Sequence, residues 1–188
     1  LETVFVCGAS DGVGARVSER LNLAGARTEV IQDVCRRSFE ELDEMLSDCE
    51  TLVVAPDVED GATLPEAKEA LKALLASCGD GLSKVVLVSS ADSRKDKGGF
   101  NVGSFFNQAD GSCGMVDLED ELTATARKRT GNRPLYTVIV RAGLTQPDAS
   151  GEARCWLGDG TDEDAVASKE LVAEAVYQAL DLQVDAGF

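Results

Sequence analysis

Histidine is absent from all 188 residues of this chain. That excludes imidazole as a general base or as the activator of a nucleophile. Six cysteines stand at positions 7, 35, 49, 78, 113 and 155, and none forms a Cys-x-x-Cys pair. With no histidine to complete a ligand set, a zinc site is not expected. Basic residues are few, 18 against 34 acidic ones, for a net charge of −16. Such a surface is repelled by nucleic acid and by anionic membranes. It suits a solvated acidic face or docking to a basic partner. No apolar run approaches the roughly 20 residues that cross a bilayer, so no transmembrane segment is expected. What is present is an ordinary 44% of hydrophobic residues, enough to build one domain over residues 1–188.

The most informative stretch is Val4-Phe5-Val6-Cys7-Gly8-Ala9-Ser10-Asp11-Gly12-Val13-Gly14. A β-prone run enters three glycines and leaves in an amphipathic segment. That is a strand, a tight turn and a helix start arranged to hold a pyrophosphate. Gly8 lets the chain turn, Gly12 lets the backbone approach a phosphate, and Gly14 lets the helix lie close on the strand. Ser10, Asp11 and Val13 lie within the same loop. The spacing Gly-x-x-x-Gly-x-Gly differs from the common dinucleotide fingerprint. Alone, it is also compatible with a glycine-rich turn that has lost its nucleotide.

Strand-like and helix-like segments then alternate. Strands are predicted at Thr3–Cys7, Thr28–Gln32, Thr51–Ala55, Lys84–Ser89 and Leu135–Arg141, with a short sixth at Ala153–Leu157. Helices are predicted at Gly12–Ala24, Phe39–Leu46, Leu64–Cys78, Val116–Arg129 and Ser168–Leu182. Ser38 and Glu41 carry the spacing of a capping box. Gly25 ends the first helix, and Arg127-Lys128-Arg129 suits a helix C-terminus. Continuous apolar strands between amphipathic helices imply an α/β fold: a doubly wound parallel sheet of five or six strands with helices on both faces. Ligands bind such sheets at the carboxyl ends of the strands. Gly8–Gly14, Ala55-Pro56-Asp57, Ser89-Ser90 and Arg141-Ala142-Gly143 all fall there. Cys7, inside a strand, and Cys78, near a helix end, read as small core residues in a reducing compartment.

Residues 91–115 break the pattern with five glycines, Phe100, Phe105 and Phe106. A segment this long is a substrate lid, a partner-docking loop or a variable excursion.

With the strands placed, nearly the whole chain resembles the short-chain dehydrogenase/reductase superfamily, in its atypical NmrA-like or NAD(P)-binding epimerase-like branch. The resemblance rests on Gly8-x-x-x-Gly12-x-Gly14, Val85-Val86-Leu87-Val88-Ser89-Ser90, Tyr136 to Leu144, and Ser168 to Val176. It implies a Rossmann-like fold and a bound NAD or NADP. The chain is short by about one βα unit. Asp33, spaced from Gly14 like the acid that bonds the adenosine ribose, fits the end of the second strand. Alternatively, residues 29–42 match a later segment whose acid lies beside the adenine, with the second strand and its helix deleted; the resemblance favours this alignment. Asp11 and Asp33 would repel a 2′-phosphate and Arg36 and Arg37 would attract it, so the balance leans to NAD. Ala55, Pro56 and Ser89 complete the expected cofactor set.

The family's usual proton relay is a Ser, a Tyr and a Lys four residues after that Tyr. Ser89 or Ser90 fits the serine. The tyrosines are Tyr136 and Tyr177, and neither has a lysine four residues on. In the helix after the long segment, Glu121 resembles a glutamate of the atypical branch. Asp92 and Lys95 are further conceivable acids. The resemblance therefore implies a nucleotide-binding domain without the usual relay. Three roles follow: an accessory or assembly subunit of a larger complex, an atypical oxidoreductase, or a dinucleotide-sensing regulator. The first residue, Leu1, fits a chain either processed or trimmed, and an organelle with a reducing interior, such as a plastid or mitochondrion, fits as well as the cytoplasm.

Overall fold

The computed structural model describes residues 3–8, 12–56, 64–90, 112–129, 134–142, 144–145 and 166–181. Five parallel strands form one sheet in the order β2-β1-β3-β4-β5. They are β1 (Thr3–Cys7), β2 (Arg27–Ile31), β3 (Thr51–Val54), β4 (Lys84–Ser90) and β5 (Tyr136–Ala142). Five helices connect and cover them: α1 (Val13–Leu23), α2 (Phe39–Leu46), α3 (Leu64–Ser77), α4 (Ser112–Lys128) and α5 (Lys169–Asp181).

Alternation along each strand builds two cores. Val4 and Val6 face α1 and α5, with Val17, Leu21, Val53, Val86 and Val176. Phe5 and Cys7 face α2, α3 and α4, with Ile31, Leu42, Leu52, Leu74, Leu87 and Leu122. The doubly wound architecture is therefore present, and the chain changes faces between β2 and β3. No strand pairs with the outer edge of β2 among the described residues.

Local chemistry sets the boundaries. Ser38 and Glu41 form the expected capping box, with reciprocal bonds of 3.2 and 2.9 Å. α1 ends at Gly25, whose φ of +83° is open to glycine without strain. There the N–H of Gly25 donates to Asn22 and that of Ala26 to Leu21, a Schellman closure. Ser168 caps α5 by accepting from the Leu171 N–H at 3.2 Å.

Three features differ from expectation. α4 begins at Ser112 rather than Val116, so the last residues of the 91–115 segment are helical. Burial of Met115 against the core offsets the weak helix propensity of Gly114. The Arg129 N–H closes α4 on the carbonyls of Thr125 and Ala126, but its guanidinium leaves the helix. It reaches across to the C-terminal end of α3, donating to the carbonyls of Leu75, Gly79 and Leu82. Two short strands, β6 (Leu144–Thr145) and β7 (Val166–Ala167), form a separate parallel pair. The sixth strand expected at Ala153–Leu157 and the aromatic residues of the 91–115 segment lie outside the described residues.

Candidate functional site

The carboxyl ends of β1, β3, β4 and β5 make one edge of the sheet, and β1 and β3 meet there at the point where strand order reverses. Open α/β sheets bind ligands at that point. Gly8 closes β1 and is not among the positive-φ glycines, which are Gly25 and Gly79. Its glycine is needed for close approach instead. A Cβ on Gly8 would stand 2.9 Å from the Ala55 carbonyl oxygen and 3.1 Å from the Gly14 Cα. A Cβ on Gly14 would stand 3.0 Å from the Gly8 Cα. At the bend of Gly8 the chain thus makes a backbone seam of Gly8, Gly14 and Ala55. Ala55 is buried and its N–H donates to Cys7 at 2.8 Å.

Gly12 is the N-cap of α1, in an extended conformation and with no side chain capping it. No acidic residue occupies the first turn. The leading N–H groups of a helix have no intrahelical acceptor, so this end carries the positive pole of the helix dipole. Val13 is buried at the first helical position. Pro56 is half-buried just past β3. Ser10 and Asp11 lie outside the described residues, as do Asp57, Asp92, Lys95 and the side chain of Ser90.

Asp33 lies just past β2 and is exposed. Its φ of +54° makes it the one non-glycine in the left-handed region among the described residues, a conformation that aspartate tolerates better than most. Its carbonyl accepts from the Arg36 N–H at 2.8 Å. Arg37 turns back on the same corner, its Nε donating to the Gln32 carbonyl at 3.0 Å.

The strongest electrostatic feature was only half visible in the sequence. Glu119, fully buried on α4, accepts from Ser89 Oγ at 2.6 Å, from Arg141 Nε at 3.0 Å and from Arg141 Nη2 at 2.9 Å. Ser89 and Arg141 are register partners near the carboxyl ends of β4 and β5. The acid that faces the sheet is therefore Glu119, whereas Glu121, which resembles a glutamate of the atypical branch, is half-buried. Helical phase carries the signal. Met115, Leu118 and Leu122 are buried, and position 119 shares their face. The Ser89 hydroxyl spends its proton on Glu119.

Neither tyrosine approaches this edge. Tyr136 opens β5 at the opposite end, its N–H donating to the Ser83 carbonyl at 2.9 Å. Tyr177 lies on α5 beneath the Arg20 guanidinium, 3.9 Å from the ring centre. Arg20 also binds Glu174 and so ties α1 to α5. The buried thiols are core. Cys7, Cys49 and Cys78 are free and buried. Burial, with Cys78 near by, pushes the Cys7 thiol pKa up. A hydrogen bond with Cys78, then burial, does the same for Cys49. No cluster of metal-ligating side chains occurs among the described residues, and none of their helices is long and apolar enough to cross a membrane.

No protein-family model matches this chain, and no curated protein sequence does. Solved structures do match. The 3-alpha-hydroxysteroid dehydrogenase from Pseudomonas sp. B-0831, complexed with NADH, is 17% identical with a TM-score of 0.63, covering 95% of this chain and 88% of that one. UDP-N-acetylglucosamine 4-epimerase from Bacillus cereus is 15% identical with a TM-score of 0.66, covering 99% and 76%. Gre2 from Candida albicans, in complex with NADPH, is 15% identical with a TM-score of 0.64, covering 97% and 75%. At these identities the likeness is one of architecture. This chain has the Rossmann-like fold that short-chain dehydrogenases and sugar-nucleotide epimerases share.

Proposed function

We propose that this protein binds a nicotinamide dinucleotide over the β1–β3 junction and serves as a non-catalytic accessory or assembly subunit of a larger complex. The binding half is carried by one observation: the Gly8–Gly14–Ala55 seam, which admits no Cβ, lies beneath an uncapped helix start. Such a seam leaves room for a pyrophosphate close to the backbone, where helix N–H groups meet it. Gly8, Gly12, Val13 and Gly14, with Ser10 and Asp11 of the same loop, form the phosphate cradle. Ala55, Pro56 and Ser89 border the middle of the cofactor. Asp33, exposed past β2, stands at the adenosine half of the cofactor and favours NAD over NADP. The NADH and NADPH complexes among the similar structures support this class of ligand.

The non-catalytic half is supported by the position of the tyrosines. Both stand away from the carboxyl edge, and Ser89 is committed to Glu119. No Tyr-x-x-x-Lys relay occurs in the sequence. The alternative is an atypical oxidoreductase or a dinucleotide-sensing regulator, and Ser90, on β4 at the carboxyl edge, speaks for the former.

Calorimetric titration with NADH and NADPH, using Gly12→Val as control, tests the binding half. Micromolar binding that the substitution abolishes is the expected result. No binding of either nucleotide refutes it. Hydride transfer by the isolated chain would refute the non-catalytic half and establish the enzyme.

A further inference from the structure

The sheet stops at β2, and the outer side of that strand is unpaired among the described residues. The Gly8 N–H donates to the Ile31 carbonyl, so Ile31 points its backbone groups at β1. Alternation then turns the N–H and C=O of Thr28 and Val30 outward. β2 carries no proline, and its two charged residues are of opposite sign, Arg27 and Glu29, so they do not repel a complementary strand as a row of like charges would.

Beside this edge two apolar side chains stand exposed among polar ones. A groove of about 570 Å³ runs between α1 and β2, bordered by Ser18, Asn22, Leu23 and Val30. Leu23 is 80% exposed and Val30 41%. Arg16 pairs with Glu19, and Arg27 with Glu29. Arg16 also meets Glu170 at 3.4 Å, so both signs of charge stand beside this edge on a chain whose net charge is −16.

We infer that β2 pairs antiparallel with β2 of a second copy of this chain, about a two-fold axis at Thr28, to make a continuous ten-stranded sheet. Charge complementarity selects both the occupant and the register. Centred on Thr28, each Arg27 stands opposite Glu29 of the other copy, in a non-hydrogen-bonded pair where side chains lie closest. The outward groups of Thr28, and of Ala26 against Val30, form the ladder. Centred on Arg27 or on Glu29, like charges would oppose each other. Centred on Val30, Glu29 would face the apolar Ile31. The two grooves then meet across the axis, with Leu23 and Val30 of both copies in them. Such self-complementarity is what a closed two-fold contact requires.

Sedimentation velocity on the full chain in 0.15 M salt, from about 1 to 100 µM, tests this. A dimer is expected. Arg27→Glu places Glu opposite Glu twice and should weaken the dimer at least about tenfold. The swapped pair Arg27→Glu with Glu29→Arg should restore it, because the charges remain complementary in this register alone. Thr28→Pro should leave the monomer folded, since an edge strand tolerates proline where the N–H faces outward, and should abolish pairing. Circular dichroism checks each fold. A chain that stays monomeric throughout overturns the proposal. So does a dimer indifferent to Arg27→Glu, or one that the swap fails to restore.

Discussion

Replacing Glu119 by alanine tests whether the buried ion pair organises the carboxyl edge. Glu119 is fully buried and accepts three hydrogen bonds, two of them from Arg141, whose side chain is 20% exposed. The substitution takes that acceptor from Ser89 and leaves the guanidinium without its carboxylate. Breaking a fully buried pair costs about 3–5 kcal/mol. Because water reaches part of Arg141, the lower end, about 3 kcal/mol, is expected. With a urea m-value of about 2 kcal/mol per molar, the unfolding midpoint should fall by about 1.5 M. Glu119→Gln keeps the shape but sets an amide N–H₂ among donors, and should lose somewhat less. The double variant Glu119→Leu with Arg141→Met removes both charges and should return to within about 1 kcal/mol of the parent. The reasoning fails if Glu119→Ala loses less than about 1 kcal/mol. It also fails if the double variant is as unstable as the two single losses added together, since coupled charges must not behave additively.

Two further outcomes follow from the packing. Gly8→Ala drives a methyl group to 2.9 Å from the Ala55 carbonyl oxygen and 3.1 Å from the Gly14 Cα; neither backbone atom can rotate away. A loss of about 1–3 kcal/mol is expected, read by chemical denaturation, together with weaker nucleotide binding; unchanged stability would contradict the seam. Cys7, Cys49 and Cys78 are buried with the pKa values of Cys7 and Cys49 raised, and the thiolate is the reactive form. Peptide mapping after iodoacetamide treatment at neutral pH should find all three unmodified in the native protein and alkylated in urea. Rapid labelling of any one in the folded state would contradict its burial.

Much of this fold could be read before any coordinates, because its signals are local. The capping box depends on two residues three apart, Ser38 and Glu41, and fixes the start of α2 without help from elsewhere. Continuous apolar strands such as Val85–Val88 needed only their length and flanks. What escaped depended on contacts remote in sequence. α4 starts early because Met115 finds a core to enter. Arg129 leaves its own helix for carbonyls near the end of α3. β6 and β7 are two residues each and show no periodicity. In the site, the glycines announced themselves by spacing, but their packing partner, the Ala55 carbonyl, did not. Glu119 was hidden in an acidic run, Asp117-Leu118-Glu119-Asp120-Glu121, where only the phase of the neighbouring leucines singles it out. Its basic partner, Arg141, lies on β5, 22 residues on.

The contact between α1 and α5 has a consequence for how the chain reaches this state. Arg20 and Glu174 meet across 154 residues of sequence, and Val176 and Val17 belong to the same core. One face of the sheet is thus closed by helices that leave the ribosome far apart in time. At about 5–20 residues per second, α1 waits several seconds or more for its partner. Meanwhile α1 alone covers its face of β1 and β3, while the opposite core, built from α2, α3 and α4, can close. The apolar side chains of Val4, Val6, Val53 and Val86 remain without α5 until synthesis has passed it. That face is where a nascent chain would need a chaperone, and where premature termination before Lys169 would leave an aggregation-prone product.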